Sequence, residues 1–244
     1  MRLNYIDNID CLEGMKSIPD GSVDMILCDL PYGTTACKWD IRLPLDKLWG
    51  QYERVIKPDG AIVLFGSEPF STLLRHSNFK WYRYDWIWKK SKVTLFQHAN
   101  KMPLKDHENI SVFYRSQPTY NPQGLQPANI AVKRASAGRT FGDRWNSQNC
   151  YTRKFTNYPR RILEFNSEGK TVHPTQKPIA LLEYLVKTYT NEGDVVLDNC
   201  MGSGSTAVAC VRTRRNFIGF ELDEKYHAIA LQRVVEALDE ILKE

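Results

Sequence analysis

The sequence lacks any long apolar run. No stretch approaches the roughly 18 consecutive apolar residues that a membrane-spanning helix needs. The first residues, Met-Arg-Leu-Asn-Tyr-Ile-Asp, also lack the apolar segment of a secretory signal. With 244 residues, of which 42% are hydrophobic and 25% charged, the chain is long enough to bury a substantial core. These properties predict a globular protein in the cytoplasm.

Closely spaced cysteines are also missing. The sequence has no C-x-x-C pair and no grouping of cysteine and histidine at the spacing of zinc ligands. We therefore expect free thiols and no metal site. The six cysteines are Cys11, Cys28, Cys37, Cys150, Cys200 and Cys210.

Acidic residues are scarce in one segment, residues 116–161. It contains eight lysines and arginines but a single acid, Asp143, although the whole chain carries only +5. It is rich in Pro, Gly, Asn, Gln and aromatics, with no sustained helical or strand period. We expect an inserted recognition region that contacts a polyanion, between core segments 1–115 and 162–244. Its candidate contact residues are Lys133, Arg134, Arg139, Arg144, Arg153 and Lys154.

Short apolar runs alternate with helical patterns along the rest of the chain. The runs cover residues 23–28, 61–65, 195–197 and 217–220, and each is typical of a buried strand. This alternation predicts an α/β fold with a doubly wound, mostly parallel sheet, whose ligands bind outside the carboxyl ends of the strands. Two groups of apolar residues recur at helical spacing, Ile179, Leu182, Leu185, Val186 and Tyr189, and Leu231, Val234, Val235, Leu238, Ile241 and Leu242.

The segment Asp29-Leu30-Pro31-Tyr32 follows the first run. A carboxylate and a backbone carbonyl that each accept one N–H can pull an aromatic amino group toward tetrahedral geometry and aim its lone pair at an electrophile. Pro31 restricts Leu30 to an extended conformation and so orients its carbonyl, while Tyr32 offers a stacking face. Short motifs of this kind are also common as strand-ending turns.

A glycine loop follows the third run. Gly202 and Gly204 would let the backbone approach a ligand at the start of a helix. Glu221, nineteen residues after Gly202, follows the next run, where a carboxylate can hold ribose hydroxyls. The pattern predicts a nucleoside pocket. A nicotinamide enzyme also fits, because the dinucleotide fingerprint accepts an alanine such as Ala207 at its third glycine.

Three blocks together resemble the amino-methylating DNA methyltransferases: D-L-P-Y at 29–32, H-P-T-Q-K-P at 173–178 and G-D-V-V-L-D-N-C-M-G-S-G-S-T at 193–206. Their order resembles the beta group, in which the catalytic block comes first and the glycine motif last. The similarity extends to residues 60–67, 107–113 and 218–223. The resemblance implies S-adenosylmethionine as cofactor and a base flipped out of double-stranded DNA, and it leaves a homodimer open.

The resemblance also implies roles for individual residues. Asp29, Leu30, Pro31 and Tyr32 take the catalytic positions. The basic residues of segment 116–161 become DNA contacts. The implied cofactor-binding residues are Asp10, His173, Thr175, Lys177, Asp198, Cys200, Gly202, Gly204 and Glu221, with the histidine, threonine and lysine expected near the amino-acid end of the cofactor.

Three positions depart from the family pattern. Leu30 replaces the first proline of D-P-P-Y, and Asn199 and Cys200 replace the usual Pro-Phe. Because that phenylalanine packs against the cofactor, Cys200 is expected to leave space there. In this family an aspartate at the start of the catalytic block is more often found in enzymes that methylate adenine N6 than in those that methylate cytosine N4. We therefore expect methylation of adenine. We expect the methyl group to be transferred directly and in line.

Several alternatives compete with this interpretation. An enzyme that methylates cytosine N4 would belong to the same class of DNA methyltransferase. The replacements at Asn199 and Cys200 also suit a catalytically silent DNA-binding homologue. If the protein were a nicotinamide oxidoreductase, D-L-P-Y and the basic segment would have no explained function. RNA and protein-glutamine methyltransferases generally place the glycine motif first. The sequence argues against cytosine C5 chemistry, because that reaction needs a nucleophilic cysteine, usually after a proline, and none of the six cysteines follows one.

Overall fold

A computed structural model of the protein describes residues 1–33, 40–132, 151–167 and 176–243. The chain divides into two compact units, one made of Met1–Asn121 with Arg161–Glu244 and the other of Pro122–Arg160. Among the described helices, none is long and apolar enough to cross a membrane.

The described elements alternate along most of the chain. The strands are β1 (Tyr5–Asp7), β2 (Val23–Cys28), β3 (Ile56–Gly66), β4 (Tyr82–Thr94), β5 (Lys105–Phe113), β6 (Gln126–Val132), β7 (Tyr151–Thr156), β8 (Ile162–Phe165), β9 (Val195–Asp198) and β10 (Asn216–Phe220). The helices are α1 (Cys11–Met15), α2 (Leu45–Val55), α3 (Phe70–Ser77), α4 (Ile179–Tyr189), α5 (Ser205–Arg212) and α6 (Glu224–Ile241).

The first unit is built on an eight-stranded sheet with the order β1-β10-β9-β2-β3-β5-β4-β8. The strands from β1 to β3 in this order are parallel to one another. Strand β5 is antiparallel to β3 and β4, and β8 is parallel to β4. The predicted α/β fold with a mostly parallel sheet is therefore confirmed.

Helices cover both faces of this sheet. Alternate residues of β2 belong to different apolar clusters, with Met25 and Leu27 in one and Ile26 and Cys28 in the other. The first cluster includes residues of α4, α5 and α6, and the second includes residues of α1, α2 and α3. Because successive side chains of a strand point to opposite faces, these strands are buried on both sides, which accounts for their continuous apolar sequences.

Strands β2 and β9 are neighbours, and the direction in which the chain adds successive strands to the sheet differs on their two sides. From β2 the chain continues through α2 to β3 on one side, and from β9 it continues through α5 to β10 on the other. A crevice forms at such a switch point, outside the carboxyl ends of the strands. Asp29 directly follows β2 and Asp198 ends β9, so the topology brings these two carboxylates to the crevice.

Helix α6 turns its most apolar sequence positions outward. Leu231, Val235 and Leu238 are exposed, whereas the core side of the helix is made of Ala230, Val234 and Ala237. The reason is close packing: a Cβ added at Gly204 would lie 2.9 Å from the Cα atom of Ala230. Small residues on α6 therefore let it approach the glycine loop.

The second unit contains an antiparallel pair, β6 and β7. The segment that has no sustained strand period in its sequence nevertheless contains these two strands. The pairing is irregular between Pro127 and Ile130, so strict alternation is interrupted. Asn121, just before this unit, belongs to the first: its side-chain amide donates to the carbonyls of Lys187 and Thr190, at 3.2 and 3.0 Å.

Candidate active site

A cavity of about 1150 Å³ opens in the first unit at the switch point of the sheet. Its walls are the loops that follow β1, β2, β9 and β10, together with the ends of β3, β4 and β5 and the segment before α4. The predicted site residues that line it are Asp10, Asp29, Leu30, Pro31, Tyr32, Lys177, Asp198, Cys200, Gly202 and Glu221.

Asp29 is held from two directions. Its Oδ1 accepts a hydrogen bond of 2.7 Å from the Tyr32 hydroxyl, and its Oδ2 forms an ion pair with the Lys177 ammonium. The Tyr32 ring stacks on Phe70, with ring centroids 5.0 Å apart. Leu30 is buried, which anchors the loop in the core beside α2 and α3. The carboxylate is thereby fixed in orientation.

Lys177 and Glu108 continue this arrangement into a buried charged cluster. The Lys177 Nζ lies 3.4 Å from Glu108 Oε2 and 5.1 Å from the ring centroid of Phe65. Lys90 forms a second ion pair with Glu108 through the other carboxylate oxygen, Oε1. The Oε2 atom is buried and accepts no hydrogen bond that meets the distance and angle criteria within the described part of the chain, although Lys177 lies at ion-pair distance. The Asp29 and Glu108 carboxylates therefore share one ammonium group.

These contacts set the protonation of the cluster. Burial raises the pKa of Asp29 above its ordinary value, against the opposing charge of Lys177. Burial also disfavours the ammonium of Lys177, but Asp29 and Glu108 outweigh it and raise that pKa. For Glu108 the two lysines outweigh burial and lower the pKa. Lys177 thus opposes the rise in the Asp29 pKa that burial causes.

The glycine loop is tied to the end of β10. Glu221 accepts backbone N–H bonds from Gly202 at 2.7 Å and Asp223 at 2.8 Å, one to each carboxylate oxygen. Gly204 has a φ of 82°, a left-handed conformation in which a side chain would be strained. Arg233 of α6 donates to the carbonyl of Ser203 at 2.6 Å. These bonds hold the loop and Glu221 at one wall of the cavity.

Asn199 and Cys200, two of the three departures from the family pattern, belong to a polar network. The Asn199 amide oxygen accepts a 2.5 Å bond from the Tyr52 hydroxyl. Its amide nitrogen lies 3.4 Å from the Cys200 sulfur and 3.6 Å from the Cys11 sulfur. Because a buried amide is costly without partners, this network explains how the chain accommodates an asparagine here.

Asp198 and Asp10 complete the acidic lining. Burial raises the pKa of Asp198 to about 6, and its Oδ1 accepts from the backbone N–H of Cys200 at 3.0 Å. Asp10 caps α1, where its Oδ1 accepts from the backbone N–H groups of Leu12 and Glu13, at 2.9 and 3.2 Å. Both carboxylates are thus oriented by backbone bonds.

The other predicted residues are either not described by the structure or have different contacts from those expected. His173, Thr175, Lys133, Arg134, Arg139 and Arg144 fall outside the described residues. Arg153 and Lys154 are exposed on β7 of the second unit. Lys177 was expected near the amino-acid end of the cofactor, but the structure places its charge on Asp29 and Glu108.

Sequence reasoning missed Glu108 and Lys90 as parts of the site. Glu108 belongs to the block 107–113 that carries part of the resemblance, but it received no role. The only signal was its place in that block, because the neighbouring residues Asp106, His107 and Asn109 are also polar. Asp40, also missed, is buried and accepts from the backbone N–H of Gly33 at 2.8 Å.

The fold is shared with solved DNA methyltransferase structures. The M1.HpyAVI structure in complex with SAM has a TM-score of 0.66 and 25% identity, over 94% of this chain and 98% of that one. PvuII DNA methyltransferase, described as cytosine-N4-specific, has a TM-score of 0.70 and 15% identity, over 98% and 92% of the two chains. The second likeness concerns the fold alone.

Sequence comparison gives the family. The type II methyltransferase M.BglII of Bacillus subtilis is 28% identical over 266 residues, which cover 94% of this chain and 68% of that protein. The model of the N6/N4 DNA methylase family matches residues 23–232. The chain belongs to this DNA methylase family.

Proposed function

We propose that this protein is an S-adenosylmethionine-dependent DNA methyltransferase that methylates the N6 amino group of adenine. The observation that carries the proposal is Asp29, a carboxylate paired with the Lys177 ammonium and oriented by Tyr32. It faces the same cavity as the glycine loop and Glu221. A base acceptor and a nucleoside cofactor would therefore meet in one cavity.

The residues of the cavity fit S-adenosylmethionine. The backbone-fixed carboxylate of Glu221 suits ribose hydroxyls, and the Asp10 carboxylate suits the amino group of an adenine ring. A cavity of about 1150 Å³ is large enough for the cofactor and for a base beside it. When bound, S-adenosylmethionine supplies a methyl group on a positively charged sulfur. Asp198 and Cys200 lie on the same wall.

The chemistry assigned to this chain is orientation of the attacking nitrogen. Asp29 and the backbone carbonyl of Leu30 each accept one N–H of the base, so the nitrogen lone pair is directed toward the methyl group. Pro31 limits the conformations of Leu30, and Tyr32 stacks on the base with the ring face opposite Phe70. The proton leaves the nitrogen after the methyl group has arrived.

Lys177 and Glu108 act in this proposal as positioning residues. Asp29 accepts an N–H more strongly when it is ionised than when it is protonated, and its burial opposes ionisation. Lys177 offsets that effect, and Glu108 in turn holds Lys177. Neither residue needs to touch the base for this role.

The choice of adenine rests on the leading aspartate of D-L-P-Y. Methylation of cytosine N4 requires the same two acceptors, so it stays the alternative. Double-stranded DNA is the proposed partner, bound in part by segment 116–161 with Arg153, Lys154 and the basic residues between 133 and 144. The flipped base would reach Asp29 from that duplex.

The test of the proposed function is a product analysis. The protein is incubated with unmethylated genomic DNA and labelled S-adenosylmethionine, and the DNA is digested to nucleosides for mass spectrometry. N6-methyladenine is the expected product. N4-methylcytosine as the product would change the proposed target base but keep the class of DNA methyltransferase. If the protein binds the cofactor but no labelled nucleoside is found, the proposal is overturned in favour of a silent homologue or a substrate other than DNA.

Glu221→Gln is expected to weaken cofactor binding by about 10-fold or more, because a charge-assisted hydrogen bond contributes roughly 1.5–3 kcal/mol. Isothermal titration of the variant with S-adenosylmethionine measures the change. Glu224→Gln, at the exposed start of α6, is the matched control and should bind as the parent does. Equal affinity of the Glu221 variant and the parent would contradict the ribose assignment.

A further inference from the structure

A basic arm projects beside the active-site cavity. It comprises residues 89–105, the end of β4, a short 3₁₀ turn at Phe96–His98 and the start of β5. Thr94 pairs with Lys105 across the arm. Because β5 is antiparallel to β3, its first residues lie at the sheet edge where β3 ends. Lys90, Lys92 and Thr94 line the cavity that contains Asp29.

The charge of the arm is entirely positive. It has five lysines and no aspartate or glutamate. Lys89 and Lys90 are paired with Glu164 and Glu108. Lys92 and Lys101 are exposed and take part in no ion pair within the ranges that the structure describes. Two cations of the arm, of which Lys92 lines the cavity, are thus available to an anionic partner, and the phosphates of DNA supply such charges.

The tip of the arm is apolar and ordered. Phe96 is 65% exposed and Met102 is 51% exposed. Backbone hydrogen bonds stabilise the tip, from His98 to Leu95 at 2.9 Å and from Lys101 to His98 at 2.8 Å. The turn is therefore held without burying its large side chains. Apolar side chains on such elements can enter between base steps of a duplex and unstack them.

We propose that this arm is a DNA-contacting element: Lys92 and Lys101 bind backbone phosphates, and Phe96 inserts into the base stack beside the flipped base. The inference rests on the proposed function, since it assumes a duplex that delivers a base to Asp29. Charge decides the partner, because a second copy of this chain would bring the same positive arm. Base flipping leaves a gap in the stack, and an aromatic ring of this size can fill it.

The test first requires a defined site. The unsubstituted protein methylates genomic DNA, and sequencing of the methylated DNA locates the site. Two duplexes are then made, one with the target base paired normally and one with the target base opposite an abasic position. The second duplex has no pair to open, so it needs little help from a wedge.

Phe96→Ala is expected to lower the methylation rate on the paired duplex by about 10-fold, and by less than about 3-fold on the abasic duplex. The control is Phe79→Ala, a phenylalanine 73% exposed that precedes the opposite end of β4, and it should match the parent on both. An equal loss of methylation rate on both duplexes, or no loss on the paired duplex, would overturn the proposal that Phe96 inserts into the base stack.

The lysines are tested by the salt dependence of DNA binding. The logarithm of the DNA association constant falls linearly with the logarithm of the salt concentration. Replacing Lys92 and Lys101 with alanine should make this slope less steep by about two, whereas Lys80→Ala should leave it unchanged. An unchanged slope in the double variant would remove the arm from the interface. Failure of the proposed function is distinct, because then the unsubstituted protein itself would not methylate DNA.

Discussion

Replacing Asp29 with alanine is expected to lower kcat on the order of 10³-fold or more while the dissociation constant for S-adenosylmethionine changes by less than about 3-fold. The physical reason is that the carboxylate accepts an N–H only in the methyl-transfer step, whereas the glycine loop and Glu221 lie on another wall of the cavity. Single-turnover methylation and isothermal titration measure the two quantities separately.

Two further variants sharpen this result. Asp29→Asn keeps the shape of the side chain and one acceptor oxygen, so it should lose less activity than the alanine variant. Asp59→Ala, in the turn within β3, removes an exposed acid and should retain the parent rate. If the alanine variant at position 29 methylates DNA at nearly the parent rate, the catalytic assignment is wrong.

Lys177→Met should move the acid limb of the kcat–pH profile to higher pH. Activity is present above the pKa of Asp29, where the carboxylate is ionised, and is lost as the pH falls through that pKa. The ammonium of Lys177 lowers the pKa of Asp29, so its removal raises that pKa. At neutral pH we expect a rate loss of about 10-fold or more.

Glu108→Gln should shift the same limb in the opposite direction. The charge of Glu108 raises the pKa of Asp29, so an uncharged amide lets that pKa fall and the limb moves to lower pH. Lys177→Arg, which keeps the charge, should restore most of the parent profile. The other titratable groups that act on or around Asp29 stay unchanged in every variant, namely Cys28, Tyr32, Lys90, Lys105 and Asp198.

The Lys177 series also separates two roles for this residue. A lysine that binds the amino-acid end of the cofactor would weaken S-adenosylmethionine affinity when it is replaced and leave the pH profile in place. A lysine that holds Asp29 ionised would shift the profile and keep the affinity. Identical pH profiles for the parent, the methionine variant and the Glu108 variant would contradict the positioning role.

The replacement of Pro-Phe by Asn199 and Cys200 now has a physical account. From sequence alone the cysteine was expected to leave space against the cofactor, and the pair also suggested a silent protein. The structure adds that Asn199 is bonded to the Tyr52 hydroxyl and lies beside the sulfurs of Cys11 and Cys200. Tyr52 and Asn199 are 147 residues apart along the chain, so only the folded structure shows that the substitution is accommodated.

The sequence by itself determined the features that depend on neighbouring residues. The apolar runs predicted parts of β2, β3, β9 and β10 because strands buried on both faces have continuous apolar sequences. The family followed from blocks that are each contiguous. The meeting of Asp29, Asp198 and Glu221 at one cavity was also predictable, since the carboxyl ends of parallel strands share an edge.

Only the tertiary structure decided which distant side chains touch. Lys177 lies 148 residues from Asp29 along the chain, and its ion pair there depends on the placement of the segment before α4 against the end of β2. Glu108 joins them because β5 pairs with β3 in antiparallel register, with Gly66 opposite Asn109. Local patterns specify strands and loops, but the partner of a buried charge is set by strand order and register, which no short stretch of sequence contains.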